Sequence, residues 1–206
     1  MDLLRQSSKS LAGRIAYVEM GPLNVLETAS SSSDTTIFWV RGGFPESYLA
    51  SNDHDSPWSG ARISFVPTWS ATFPSGAPAF PPKTLARLWT MLAHEQAALL
   101  NASRLAKSLM IRAQTVTRYI DLLVDLLLVR RLQPFHVNVG KQLVRSPKVF
   151  VRDSGIVHAL LGVAGFDALS GHPVVGASWE DFVIENLIAC SAGAHHAQFL
   201  SNRRGR

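Results

Sequence analysis

The apolar positions change period along the chain. From residue 84, Leu85, Leu88, Trp89 and Leu92 recur at i, i+3, i+4 and i+7, the spacing of one helix face, with Thr84 placed to cap it. Ser103 is placed to cap a second helix ending at Leu109, with Leu105, Ala106 and Leu109 inward. After residues 110–112, a third helix is predicted to about Leu127, its inward stripe being Val116, Ile120, Leu123 and Leu127. Over residues 127–153 the chain turns rich in Val, Leu and Phe, punctuated by Pro134, Gly140 and Pro147. That predicts two or three short strands in a hairpin. Three helices followed by a β-hairpin is the winged-helix arrangement.

Outside this core the signals are shorter. Residues 2–11 predict a short helix and residues 13–20 an alternating strand. Residues 27–36, ETASSSSDTT, predict a polar loop, and residues 39–50 a Gly-Gly-Phe-Pro turn with a brief helix behind it. Residues 59–82 carry one charge, Arg62, among spaced prolines, which predicts irregular chain. Residues 153–162 predict a helix with an acidic start, closed by Gly162. Residues 178–193 predict an amphipathic helix with Ser178 at the N-cap, Glu180 and Asp181 near its positive end, and Phe182, Leu187 and Ile188 buried. The fold class is therefore α+β, mainly α, with a winged-helix core (helix-turn-helix plus β-hairpin) and incomplete flanking segments.

Composition places this chain among globular proteins: 47% of residues are hydrophobic and 17% charged. A single cysteine, Cys190, leaves no internal disulfide and fits a reducing, cytoplasmic setting. No apolar run approaches the roughly 20 residues of a membrane span, so no membrane partner is expected. The net charge of +5 is unevenly placed. Residues 84–153 hold 11 Lys and Arg against 4 Asp and Glu, whereas the segments on either side are each slightly acidic. A basic excess confined to a helix-turn-helix is the footprint expected against phosphate.

The motifs for chemistry are broken. Gly140-Lys141 lacks the first glycine and the Ser or Thr of a phosphate-binding loop. His94-Glu95 has Ala98 where the second zinc-binding histidine would stand, and GASWE at 176–180 ends in Glu180 where a nucleophile elbow needs Gly. His195 and His196 are adjacent near the end of the chain, without metal-ligand spacing. The residue types that contact bases and phosphates do cluster: Arg112, Gln114, Thr115, Thr117 and Arg118 on the third helix, Arg104 and Lys107 on the second, and Lys141, Arg145 and Lys148 on the hairpin. Asp121 and Asp125, on the same face of the third helix, oppose this by repelling phosphate.

Several longer stretches resemble a group of bacterial and archaeal AAA-type ATPases with a C-terminal domain of unknown function that is restriction-endonuclease-like. They are SLAGRIAYVEMGPL, WVRGGFPESYLA, LARLWTMLAH, LLNASRLAKSL, TVTRYIDLLVDLLLVRRLQPF, SPKVFVRDSGIVHALLG and GHPVVGASWEDFVIENLI. The resemblance implies that residues 1–27 are a remnant of the ATPase core and residues 28–83 a linker or lid-like region. It makes residues 84–153 the winged-helix-like domain and residues 154–206 an incomplete nuclease-like domain. It further implies ATP and magnesium as cofactors of intact members, and places Arg14 where such an ATPase senses phosphate. This chain has neither the phosphate loop nor a Glu-x-Lys, so it reads as a truncated copy with no cofactor of its own.

Three functions follow as expectations. The first is a non-catalytic winged-helix fragment with weak binding to duplex DNA. The second is an interaction piece that docks onto an intact relative or onto itself, through edges such as the strand predicted at 13–20. The third is ATP hydrolysis as in intact members, which the missing motifs disfavour.

Overall fold

A computed structural model of the chain describes residues 21–50, 81–134, 146–191 and 198–199. The fold is α+β and mainly α. Its centre is three helices, α4 (Pro82–His94), α5 (Ala102–Leu109) and α6 (Ala113–Asp125), followed by antiparallel strands β1 (Val129–Pro134) and β2 (Lys148–Val151). Ahead of it lie α1 (Val25–Thr28), α2 (Ser32–Arg41) and α3 (Pro45–Tyr48). Behind it come α7 (Ser154–Leu161), α8 (Gly165–Ser170), α9 (Val175–Cys190) and a two-residue β3 (Gln198–Phe199) that pairs parallel with β1.

The winged-helix expectation holds in its main parts. Leu85, Leu88, Trp89 and Leu92 are all buried, as are Leu105, Ala106 and Leu109, and Val116, Ile120 and Leu123. Residues 110–112 form the turn, with Met110 in the left-handed region (φ 54°, ψ 40°). The hairpin registers Val129 against Val151 and Leu132 against Lys148. A further stretch joins this sheet: Ala97 N–H donates to Val149 O, Val149 N–H to Ala98 O and Leu100 N–H to Pro147 O. The link between α4 and α5 thus supplies a third line of backbone pairing, which the sequence pattern does not announce.

Several boundaries differ from expectation. Helix α4 starts at Pro82, not after Thr84, because proline at the first helical position has no N–H to satisfy. Asn101, not Ser103, caps α5 by accepting the Arg104 N–H at 2.9 Å. Helix α6 stops at Asp125, and Leu127, expected in the inward stripe, has φ 61° and is exposed.

The largest departure is α2. Residues 27–36 read as a loop because serine and aspartate favour turns. Instead Ser31 accepts the Asp34 N–H and starts a helix whose Phe38, Trp39 and Val40 are buried in the same core as the winged helix. The Gly-Gly-Phe-Pro turn and α3 follow as expected. Gly42 has φ 81°, and a Cβ there would collide with Asp153. The helix and strand expected at 2–11 and 13–20 lie outside the described residues, as does the irregular segment expected at 59–82 except for its last two residues, where Pro81 caps α4 and Pro82 begins it.

Candidate nucleic-acid interface

Helices α5 and α6 bury one face each against α4 and the hairpin, which leaves the opposite faces side by side at the surface. Lys107, Arg112, Gln114, Thr117 and Arg118 are exposed there, and Thr115 is half-buried. Among the described residues Lys107, Arg112 and Arg118 make no salt bridge. Arg112 sits at the N-cap of α6, where the helix dipole adds to its positive field. Thr117 Oγ donates back to the Ala113 carbonyl at 3.2 Å, so its hydroxyl oxygen can still accept.

The other nominated residues divide. Arg104 is exposed but pairs with Glu95 at 2.8 Å. Lys148 does not face outward with the helix-turn-helix: its Nζ donates to Glu180 of α9 at 2.6 Å. Strand β2 pairs on one side with β1, and this contact ties its first residue to the C-terminal helix. Lys141, Arg145, Arg14, His195 and His196 lie outside the described residues. Asp121, which opposed phosphate binding in the sequence, is held by Arg131 at 2.5 Å. That ion pair offsets the Asp121 charge on the far end of α6.

A buried polar core, with little trace in the local sequence patterns, joins α2, α7 and α9. Asp153 caps α7, with Oδ1 accepting the Ile156 N–H at 2.9 Å and Oδ2 accepting the Gly43 N–H at 2.7 Å. Burial pushes its carboxyl up to about 6 despite those bonds. His158, on the same helix, is pushed down by burial to about 4, against the opposing pull of its bond to Val40. Its Nδ1 donates to the Val40 carbonyl at 2.8 Å, so Nε2 accepts from the Ser178 hydroxyl at 2.7 Å. Trp39 Nε1 donates to that same hydroxyl at 3.1 Å. Ser178 is therefore not the N-cap of α9, which is Val174. It lies one turn inside and ties α2 to α7 and α9.

Serine beside histidine has the residue types of a nucleophile and its base. Here both are buried and every polar atom is committed to a neighbour, so the arrangement is a structural tie. A fully satisfied buried network of this kind fixes one packing of its helices. The only local sequence hint was the acidic cap at Asp153.

Helix α9 carries two of its three carboxylates, Asp181 and Glu185, inward, and Glu180 at its edge. Glu185 is gripped by Arg130 and by Arg152 at 3.2 Å, and Glu180 by Lys148. Asp181 is fully buried and makes no hydrogen bond. Burial, then the nearby Glu185 and Asp153, raise its carboxyl well above the ordinary range, against the opposing pull of Arg130 and then of the Gln96 amide. Gln96 is spent on the Val151 backbone, donating to its carbonyl at 3.1 Å and accepting its N–H at 2.9 Å. Among the described residues no three His, Cys, Asp or Glu side chains are arranged to hold a metal ion. No helix among them is long and apolar enough to cross a membrane.

Comparison with known proteins bears on origin more than on use. The chain is 42% identical over 193 residues to the uncharacterized protein Mb2031c of Mycobacterium bovis and, equally, to the uncharacterized protein Rv2008c of Mycobacterium tuberculosis. The alignment covers 93% of this chain and 43% of each relative, so the chain spans less than half their length. No solved structure matches. These findings correct the resemblance to AAA-type ATPases with a restriction-endonuclease-like domain, since neither family is shown by the matches. The shared patterns were mostly apolar helix stripes and hairpin strands, which winged-helix packing imposes on unrelated proteins. With that resemblance fall the ATPase-remnant reading of the N-terminus and the phosphate-sensing role of Arg14. A family model described as domain of unknown function DUF8612 matches residues 33–167, from α2 through the winged helix to α8, and the chain belongs to that family.

Proposed function

We propose that this chain is a non-catalytic nucleic-acid-binding module that meets duplex DNA with the exposed face of α5 and α6. One observation carries the reading. Lys107, Arg112 and Arg118 stand exposed on adjoining helices with no carboxylate partner among the described residues, beside the hydrogen-bonding side chains of Gln114 and Thr117. Cations tied up in ion pairs lose most of their attraction for phosphate; these three keep theirs. Arg104, shared with Glu95, forms the edge of the contact. Lys148 takes no part, being held by Glu180.

Anisotropy of a labelled duplex, titrated with the full chain between about 50 and about 200 mM salt, tests the reading. Binding that weakens steeply with salt is expected. No binding at the low end, or binding indifferent to salt, refutes it.

A second reading, an interaction piece, is favoured by a different observation. The outward face of α9 is mostly apolar, with Glu180 paired to Lys148 at its edge and Asp181 and Glu185 on the inner side, unlike an ordinary surface helix. Such a face is suited to contact with protein.

A further inference from the structure

The outward stripe of α9 is built from Gly176, Trp179, Val183, Leu187 and Cys190, every one of them exposed. Trp179 is 43% exposed, Val183 36% and Leu187 65%. Their separations are three, four, four and three residues, an average of about 3.5, the period of helix-against-helix seams. The one charge bordering the stripe is Glu180, its side chain 41% exposed but its carboxylate paired with Lys148, while Asp181 is buried and Glu185 is held by Arg130. Two copies of this face can therefore meet without opposing like charges, although the chain as a whole carries +5.

The spacing is also its own mirror image about Val183. Turned end for end, the stripe sets Trp179 against Leu187, Gly176 against Cys190 and Val183 against itself. Large meets medium and small meets small, which is the self-complementarity a two-fold contact requires. The aromatic end is already rigid: the Trp179 ring stacks on Phe182 at 5.3 Å and meets the edge of Trp39 at 4.9 Å. Half-exposed Phe166 also meets the Trp39 ring, with centroids 6.3 Å apart. Rigid aromatic anchors lose little freedom on association.

We propose that this stripe is the contact between two copies of the chain, packed α9 against antiparallel α9 about a two-fold axis at Val183. The proposal rests on the second reading above and is independent of DNA binding. Aromatic side chains bury about 150–250 Å2 each; with the aliphatic positions, one copy offers on the order of 400 Å2 of apolar surface. Doubled and joined by flanking polar atoms, this lies near the roughly 1,000 Å2 at which specific contacts begin. The dimer is thus weak and depends on concentration.

Sedimentation equilibrium of the full chain across a concentration series, with two variants, tests it. The wild type is expected to pass from monomer to dimer. Val183→Glu sets two carboxylates face to face at the axis and is expected to stay monomeric with an unchanged circular dichroism spectrum, the position being already solvent-accessible. Val183→Cys in a Cys190→Ser background is expected to form a disulfide-linked dimer on air oxidation, while wild-type Cys190, about 20 Å from its mate at 1.5 Å per residue, does not. A wild type that is monomeric throughout overturns both the seam and the self-association reading. A dimer that survives Val183→Glu, or that cross-links through Cys190 and not through the Val183→Cys substitution, overturns the α9 seam alone.

Discussion

His158 donates its Nδ1 proton to the Val40 carbonyl at 2.8 Å, and that bond fixes the tautomer of a fully enclosed ring. With Nδ1 committed as donor, Nε2 is the acceptor that orders the Ser178 hydroxyl, and Ser178 in turn receives the Trp39 indole. Three helices are registered by one neutral imidazole. Protonating it would turn Nε2 into a second donor and set it against the proton of the Ser178 hydroxyl.

A pH-dependent stability follows. Burial holds the folded His158 at about 4, below its ordinary 6.5. Its stabilising contribution is therefore fully present above pH 6.5 and is lost as pH falls through about 4. His158→Gln at neutral pH is expected to cost about 1–3 kcal/mol in broken buried hydrogen bonds. That cost should shrink by on the order of 3 kcal/mol between pH 7 and pH 4, since the variant has no imidazole to charge. Thermal melts of both proteins across this range measure the difference; a cost that does not change with pH contradicts the assignment.

The carboxylates run the other way. Asp181 is buried without a hydrogen bond and its carboxyl is raised, so its contribution is present below the ordinary 3.8 and is lost as pH rises through the folded value. Asp153, raised to about 6, acts in the same direction between 3.8 and about 6. Asp181→Asn is expected to gain on the wild type as pH rises, by at most about 1.4 kcal/mol per pH unit. Urea midpoints at pH 5 and pH 8 decide: equal differences at the two values argue against a neutral carboxyl.

Met110 is a strained position in the helix-turn-helix. It adopts a left-handed conformation at the end of α5 and is 89% exposed. A side chain there costs about 1–2 kcal/mol, offset in part by the chain entropy that glycine would lose. Met110→Gly is expected to stabilise the fold by up to about 1 kcal/mol in a denaturant titration. A loss of that size instead would mean the methionine makes a contact worth more than the strain.

For nucleic acid, single alanine substitutions of Lys107, Arg112 and Arg118 should each lower the slope of log affinity against log salt by about 1. Lys148→Ala should leave it unchanged, because that side chain is engaged with Glu180. Anisotropy titrations of the four variants separate these outcomes. A slope that responds to Lys148 and not to the α5–α6 cations would move the contact elsewhere.

The parts legible in the sequence are those where one local pattern decides. Leu85, Leu88, Trp89 and Leu92 announce α4, and Val116, Ile120 and Leu123 announce α6, because a helix must bury a stripe of that period. Asp153 and Gly162 bracket α7 as expected, since caps act within a single turn. Helix α2 runs against its local composition, since four serines favour a loop, although Ser31 and Asp34 have the spacing of a helix start. Leu187 was expected to bury and is exposed, because the inward side of α9 is taken by Phe182 and by carboxylates with partners on β1 and β2.

The sequence by itself determined the helix-turn-helix, the hairpin after it and the concentration of positive charge there, since period, cap and composition are local properties. Only the tertiary structure decided which charges are available. Arg130, Arg131, Arg152 and Lys148 are as basic on paper as Lys107, Arg112 and Arg118, yet each of the four meets a carboxylate brought from 10 to 55 residues away. Folding sets such pairs through long-range contacts, and neither the inward acids nor the outward apolar stripe of α9 can be read from its own residues alone.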